Sequence, residues 1–167
     1  HPFLDGNGRI GRLLITLFLV KEGLLEKPLL YLSTFFETPK DLYYDNLSAI
    51  RTKNDMAQWI KYFLVGIEQT ASLAVETLSS ILEFKNETEN LIRGTYRTRS
   101  TNAIIVFHRL LENPYTTIDQ VASLCGITFT SASTLVKLLV KDGLLFEITG
   151  QSRNRLFVCE QYLNLFR

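Results

Sequence analysis

From Glu68 to Arg93 the chain contains neither proline nor glycine, and no other stretch limits the fold as strongly. Nothing in it breaks a helix, and Leu73, Val75, Leu78, Ile81, Leu82, Leu91 and Ile92 recur within it at intervals that suit one or two long helices. Residues 71–94 are therefore expected to be a helical connector between two modules, with their aliphatic side chains engaged in packing. The whole chain should be mainly α.

On the N-terminal side, residues 1–8 read as a glycine-rich loop and Arg9 to about Glu22 as a helix that Gly23 stops. Ile10, Leu13, Leu14, Leu17 and Phe18 lie at helical spacing and predict a core-facing stripe. The longest apolar run, Leu13 to Val20, is interrupted by Thr16 and closed by Lys21 and Glu22, too short to span a bilayer. Between Lys40 and Gly66 further helical segments are expected to bury Leu42, Leu47, Ile50, Trp59, Ile60, Phe63 and Leu64.

Past the connector the pattern changes. Asn102–Leu111 reads as a helix that Asn113-Pro114 stops. Thr117-Ile118-Asp119-Gln120 fits a capping box for a short second helix, Gly126 supplies a turn, and Thr128 caps a third helix that Gly143 ends near Asp142. Leu144–Thr149 and Leu156–Cys159 alternate like strands around the polar turn Gly150 to Asn154. Helix, helix, turn, helix, hairpin is the order of a winged helix-turn-helix.

A length of 167 residues suits one medium domain or two small ones, and 46% hydrophobic with 21% charged residues supplies an ordinary core. The net charge of +1 excludes a polyanion binder by composition alone. Residues 1–94 hold 10 Lys/Arg against 12 Asp/Glu, and residues 95–167 hold 8 against 5, so the mildly basic part is the C-terminal one. Cys125 and Cys159 stand far apart with no CxxC, which argues against a disulfide framework or zinc site and fits a reducing cytoplasm. The chain opens on His1 and not on Met, so a preceding segment is expected.

The chemistry concentrates in His1-Pro2-Phe3-Leu4-Asp5-Gly6-Asn7-Gly8-Arg9-Ile10-Gly11-Arg12. Gly6 and Gly8 flanking Asn7 let backbone N–H groups approach an anion, and the following helix adds its exposed N–H groups and positive dipole end. Arg9 and Arg12, three apart in the first turn, can grip further phosphate oxygens. Asp5 suits Mg²⁺, which takes a carboxylate together with phosphate oxygens and water. His1 alone here titrates near neutrality and is the natural general base. A lone Gly-Asn-Gly turn, arginine pair or histidine is ordinarily structural; the combination at fixed spacing is that of a phosphoryl or nucleotidyl transfer site.

These residues resemble the motif of the Fic (filamentation induced by cyclic AMP) family, His-Pro-Phe-x-Asp/Glu-Gly-Asn-Gly-Arg-x-x-Arg, at every specified position. The resemblance implies a protein adenylyltransferase. His1 would take the proton from a Ser, Thr or Tyr hydroxyl of a target protein, and that hydroxyl would attack the α-phosphorus of ATP. Asp5 would hold Mg²⁺; Gly6, Asn7 and Gly8 would form the anion hole; Arg9 and Arg12 would bind the phosphate tail; Phe3 would anchor the loop in the core. A relative that acts as a kinase has Lys where Gly8 stands, so Gly8 favours adenylylation.

Asp41 to Leu47 followed by Trp59-Ile60 is similar to the segments after the motif in many Fic proteins, which makes Tyr44 the candidate at the adenosine pocket and Tyr43 the reserve. Thr149 to Phe157 resembles the wing of an appended winged helix. The implied layout is residues 1–70 as the C-terminal part of a Fic helical core, 71–94 as connector and 95–167 as a winged helix-turn-helix with a small β hairpin. The family's inhibitory motif, Ser/Thr-x-x-x-Glu-Gly/Asn, lacks a match: Glu76 is followed by Thr77 and Glu83 by Phe84. An inhibitory helix is thus expected upstream.

Residues 1–167 alone are expected to transfer no AMP and to seek cover for the apolar helix face, a second copy in a homodimer being one source. The winged helix offers Ser131, Thr134, Lys137 and Lys141 on the Thr128-capped helix and Arg153 and Arg155 on its wing to DNA or to a protein partner. Few of these suit base edges, which puts docking or dimerisation slightly ahead of DNA. The rival reading of the whole chain is a DNA-binding regulator with a vestigial Fic loop. No membrane is expected as a partner.

Overall fold

The computed structural model describes residues 2–27, 32–37 and 40–166. The expectation of a mainly α chain holds. Contacts divide it into two compact units, His1–Glu76 and Thr77–Arg167. The boundary falls inside one helix of 40 residues, Met56–Thr95, which absorbs both the Trp59 segment and the expected connector.

The first unit contains α1 (Asn7–Lys21), α2 (Leu32–Glu37), α3 (Lys40–Lys53) and the N-terminal part of α4 (Met56–Thr95). Helix α1 ends as expected: Lys21 closes the last turn and Gly23 takes φ 72°, a left-handed value that a side chain would strain. The short α2 has no counterpart in the sequence reading. It supplies Leu32 and Phe36, which with Tyr62 are the buried apolar centre of this unit. The Phe36 ring lies 5.2 Å from Tyr43, 5.9 Å from Tyr62, and 6.4 Å from both Trp59 and Phe63, within the range of favourable aromatic pairs. Gly66 explains how α2 comes so close to α4: a Cβ there would stand 2.6 Å from the Phe35 ring. Mid-helix glycine costs about 1 kcal/mol relative to alanine, and here it makes room for that ring.

The apolar α1 face of Leu13, Leu14, Leu17 and Phe18 is exposed, as expected of residues 1–167 alone, and Ile10 is half-buried; several other expected core positions are corrected. The unit's own core takes a different face, Ile15, Thr16 and Leu19. Helix α1 is apolar on two sides, and periodicity alone does not say which side the core uses. Leu42, Ile60 and Leu64 are exposed as well, whereas Tyr62 is buried. Within residues 71–94, Leu73, Val75, Leu78, Leu82 and Leu91 are exposed, and Ile92 is buried.

The second unit continues from α4 through a 3₁₀ turn (Arg97–Arg99) into α5 (Ser100–Glu112), β1 (Tyr115–Thr117), α6 (Ile118–Cys125), α7 (Phe129–Lys141), β2 (Phe146–Glu147), β3 (Leu156–Val158) and α8 (Glu160–Asn164). The local signals worked here. Thr117 accepts from the Gln120 backbone while the Gln120 side chain accepts from Thr117, a complete capping box. Thr128 accepts from the Ser131 N–H and so caps α7, and Gly126 and Gly143 take φ 63° and 75° at the helix ends. The 3₁₀ turn, β1 and α8 were not foreseen. Residues Tyr115–Thr117 form a strand, so the expected hairpin is a three-stranded antiparallel sheet of order β1-β3-β2, with Thr116 opposite Phe157. Leu144 and Leu145 are not strand. The Gly143 turn sends both into the core, and β2 begins only at Phe146.

Helices α5, α6 and α7 close around Val106, Phe107, Leu110, Val121, Leu135 and Leu139, all buried. Tyr96 donates from its hydroxyl to Asp142 at 2.6 Å, tying the end of α4 to the C-cap of α7. Burial, and then that bond and the carboxylate's charge, push the Tyr96 phenol well above its ordinary value. Glu89 gathers His108 at 2.8 Å, Arg93 at 3.5 Å and Lys85 at 4.0 Å; its hydrogen bond with His108 is the chief cause that lowers its carboxyl below the usual range.

Candidate functional site

Gly6 adopts φ 78° as the N-cap of α1, turning the chain from the loop into the helix. The first intrahelical bond runs from the Ile10 N–H to the Gly6 carbonyl, 3.0 Å. The preceding N–H groups, of Asn7, Gly8 and Arg9, belong to the first turn and have no intrahelical partner. Among the described residues, no side chain caps them. Three donors at the positive end of a helix of 15 residues are thus open to an anion.

The loop before them is fixed locally. Asn7 accepts from the Phe3 N–H at 3.0 Å and donates from its amide to the Phe3 carbonyl at 2.7 Å. Asp5 accepts from the Gly6 N–H at 2.6 Å and faces Arg9 at 3.5 Å. Asn7 therefore shapes the loop through its side chain and keeps its backbone N–H in the open first turn of α1. Phe3, expected to anchor the loop in the core, is 52% exposed; its backbone, held by Asn7, does the anchoring.

A cleft of about 860 Å³ opens over this helix end, within the size range of small-molecule sites. Asp5, Gly6, Asn7, Gly8, Arg9 and Arg12 line one side, and Tyr43, Tyr44, Leu47, Ser48 and Arg51 of α3 line another. Arg12 lies low in the cleft with its side chain 14% exposed, and it donates from Nη2 to Glu37 Oε1 at 3.1 Å. A Cβ on Gly8 would meet Arg12 Nη1 at 3.4 Å, so the guanidinium lies close against the first turn. Tyr44 lines the cleft and is 55% exposed, whereas Tyr43 packs at tilted angles against Phe36 and Trp59. Burial and then the neighbouring Tyr43 push the Tyr62 phenol up.

The structure thus brings Asp5, Gly6, Asn7, Gly8, Arg9, Arg12 and Tyr44 to one cleft. His1 lies outside the described residues. Asp5 presents a single exposed carboxylate there, a hard oxygen donor of the type Mg²⁺ accepts alongside phosphate and water. Among the described residues, no group of three or more His, Cys, Asp or Glu could hold a metal by itself.

Residues 1–19 match the profile of the Fic/DOC family. The match covers α1 up to Leu19 and the loop that leads into the open N–H groups of its first turn.

The sequence reading missed Glu37, Ser48 and Arg51. The last two carried a signal, because Tyr44, Leu47, Ser48 and Arg51 are spaced as one helical face. Glu37 carried none, since only the packing of α2 brings it to Arg12.

In the second unit, Ser131, Thr134, Lys137 and Lys141 are exposed on α7, which has no acidic residue. The Thr134 hydroxyl donates back to Thr130, and the Ser131 hydroxyl accepts from Thr128. Arg153 is exposed in the turn between β2 and β3. Arg155 sits 3.7 Å from Glu147 and 5.6 Å over the Phe157 ring. No single helix among the described residues is long and apolar enough to cross a membrane.

Proposed function

We propose that the full-length protein transfers AMP from ATP to a hydroxyl side chain of a target protein. The observation that carries the reading is the uncapped N-terminus of α1, its three open N–H groups framed by Arg9 and Arg12 in one cleft. The family match falls on these same residues.

The N–H groups of Asn7, Gly8 and Arg9 receive phosphate oxygens as negative charge develops on the transferring centre. Arg9 and Arg12 hold the remaining phosphates, and each leaves its present carboxylate partner to do so. Tyr44 supports the base with its exposed ring. His1 takes the proton of the incoming hydroxyl; the oxygen bonds to the α-phosphorus, the bond to the bridging oxygen breaks, and pyrophosphate departs. Asp5 would hold the magnesium ion, which neutralises phosphate charge when bound.

The second unit we read as a winged helix-turn-helix, with α6 and α7 as the helix pair and the β2–β3 turn as the wing. Its exposed residues Ser131, Thr134, Lys137, Lys141 and Arg153 are the contacts for a protein partner or DNA, with Arg155 tied into the wing.

Incubating the full-length protein with α-labelled ATP, Mg²⁺ and cell lysate tests the enzymatic reading. Label retained on protein after denaturation is the expected result. No retained label from α-labelled ATP, with retention of label from the γ-phosphate, would reassign the cleft to phosphoryl transfer. For the second unit, binding of duplex DNA at low salt would move the reading from docking to DNA, and changing Arg153 to Ala should then lower the salt slope by roughly one phosphate contact.

A further inference from the structure

Among the described residues, five charged side chains line the cleft: Arg9, Arg12, Arg51, Asp5 and Glu37. Two of the cations are already matched, Arg9 by Asp5 at 3.5 Å and Arg12 by Glu37 at 3.1 Å. Arg51 is exposed and makes no ion pair or hydrogen bond among the described residues. The cleft's uncompensated positive charge therefore sits on α3, on a different wall from the helix end that presents the N–H donors. Ser48 stands one turn before Arg51, and Tyr44 one turn before Ser48, so a ring, a hydroxyl and a guanidinium follow one another over about 10 Å of helix.

We infer that Arg51, assisted by the Ser48 hydroxyl, is a second anion subsite of the cleft, for a phosphate group other than the one seated on the α1 N-terminus. The inference rests on the nucleotide reading above and adds to it a residue that the motif does not contain. A guanidinium presents donors only, in a planar fork that matches two phosphate oxygens, and carries a full charge that the neutral edge of a base would leave unmatched. A ligand with two separated anionic groups, such as a nucleoside triphosphate or free pyrophosphate, satisfies both walls at once. A nucleoside monophosphate satisfies only one.

The test compares ATP, inorganic pyrophosphate and AMP by calorimetry on the full-length wild type, Arg51→Gln and Arg51→Lys. Arg51 is exposed, so both variants should retain the fold, and a thermal melt checks it. Arg51→Gln should weaken ATP and pyrophosphate by about tenfold, the size of one lost charge-assisted contact, and leave AMP within twofold. Arg51→Lys should recover part of the loss. Equal losses for AMP and ATP would overturn the subsite, and so would unchanged affinity for ATP and pyrophosphate. A raised KM for the acceptor protein with unchanged ATP affinity would overturn it too, by giving Arg51 to the acceptor. Arg51-dependent pyrophosphate binding in a protein that transfers no nucleotide would leave the subsite standing and refute the transferase reading instead.

Discussion

The two units bury their side chains differently. In Thr77–Arg167, helices α5, α6 and α7 enclose a continuous apolar cluster, and the polar groups beside it are matched: Tyr96 with Asp142, Thr117 with Gln120. Among the described residues of His1–Glu76, only Leu32, Phe36 and Tyr62 are buried in the apolar cluster, and the large side chains Leu13, Leu14, Leu17 and Phe18 are exposed. Yet the residues that line the candidate cleft are all in the first unit. One unit thus holds a closed core and the other an open set of donors. The contrast fits the requirement that an anion site leave its backbone N–H groups unmatched until the ligand arrives.

The largest effect expected concerns His1. His1→Ala in the full-length protein should lower AMP transfer about 10²–10⁴-fold and leave ATP binding in place, because imidazole acts on the hydroxyl and not on the phosphates. Transfer within a few fold of wild type would remove His1 from the mechanism.

Next in size is the core contrast itself. Phe107 is fully buried, and Phe107→Ala should destabilise the second unit by about 3–5 kcal/mol through lost contacts and a cavity. Leu14 is 58% exposed, and Leu14→Ala in residues 1–167 should stay within about 0.5 kcal/mol. Equal effects in denaturant melts would erase the distinction between the units.

Arg12→Ala should then weaken ATP by roughly tenfold or more, since it removes a charged donor low in the cleft. An unchanged calorimetric affinity would show that the α1 N–H groups suffice alone.

The smallest change is pH-dependent. Tyr96 has a folded-state pKa above its unfolded value of 10.0. Its contribution is fully present below pH 10 and is lost as pH rises from there toward the folded value, because the unfolded chain deprotonates first. Tyr96→Phe should cost about 1–2 kcal/mol at neutral pH through the lost bond to Asp142, and it should flatten the alkaline fall in melting temperature. An identical alkaline fall in the variant would assign it to other groups.

The sequence was readable where neighbours in the chain decide the structure. The capping box at Thr117 and Gln120, the Thr128 cap and the glycine stops at Gly126 and Gly143 involve residues at most a few positions apart. Strand β1 was hidden because three residues acquire that conformation only by pairing with β3. Helix α2 was hidden because six residues are too few to show a period. The buried side of α1 was illegible for another reason: both the Leu13–Phe18 and the Ile15–Leu19 faces are apolar, and only tertiary contacts choose between them. In the cleft, the loop residues follow from their fixed spacing, whereas Glu37 reaches Arg12 across 25 positions.

The bonds between Asn7 and Phe3 also bear on how the protein ages. An asparagine followed by glycine is open to attack by the next backbone nitrogen on its own side-chain carbonyl, which ends in conversion to aspartate. At Asn7-Gly8 that product would replace an amide donor with a carboxylate and set a negative charge at the mouth of the anion hole. Here both ends of the amide are engaged by the Phe3 backbone, at 3.0 and 2.7 Å, and Gly8 already belongs to a helix. The clamp that shapes the loop therefore also slows the chemical reaction that would spoil it.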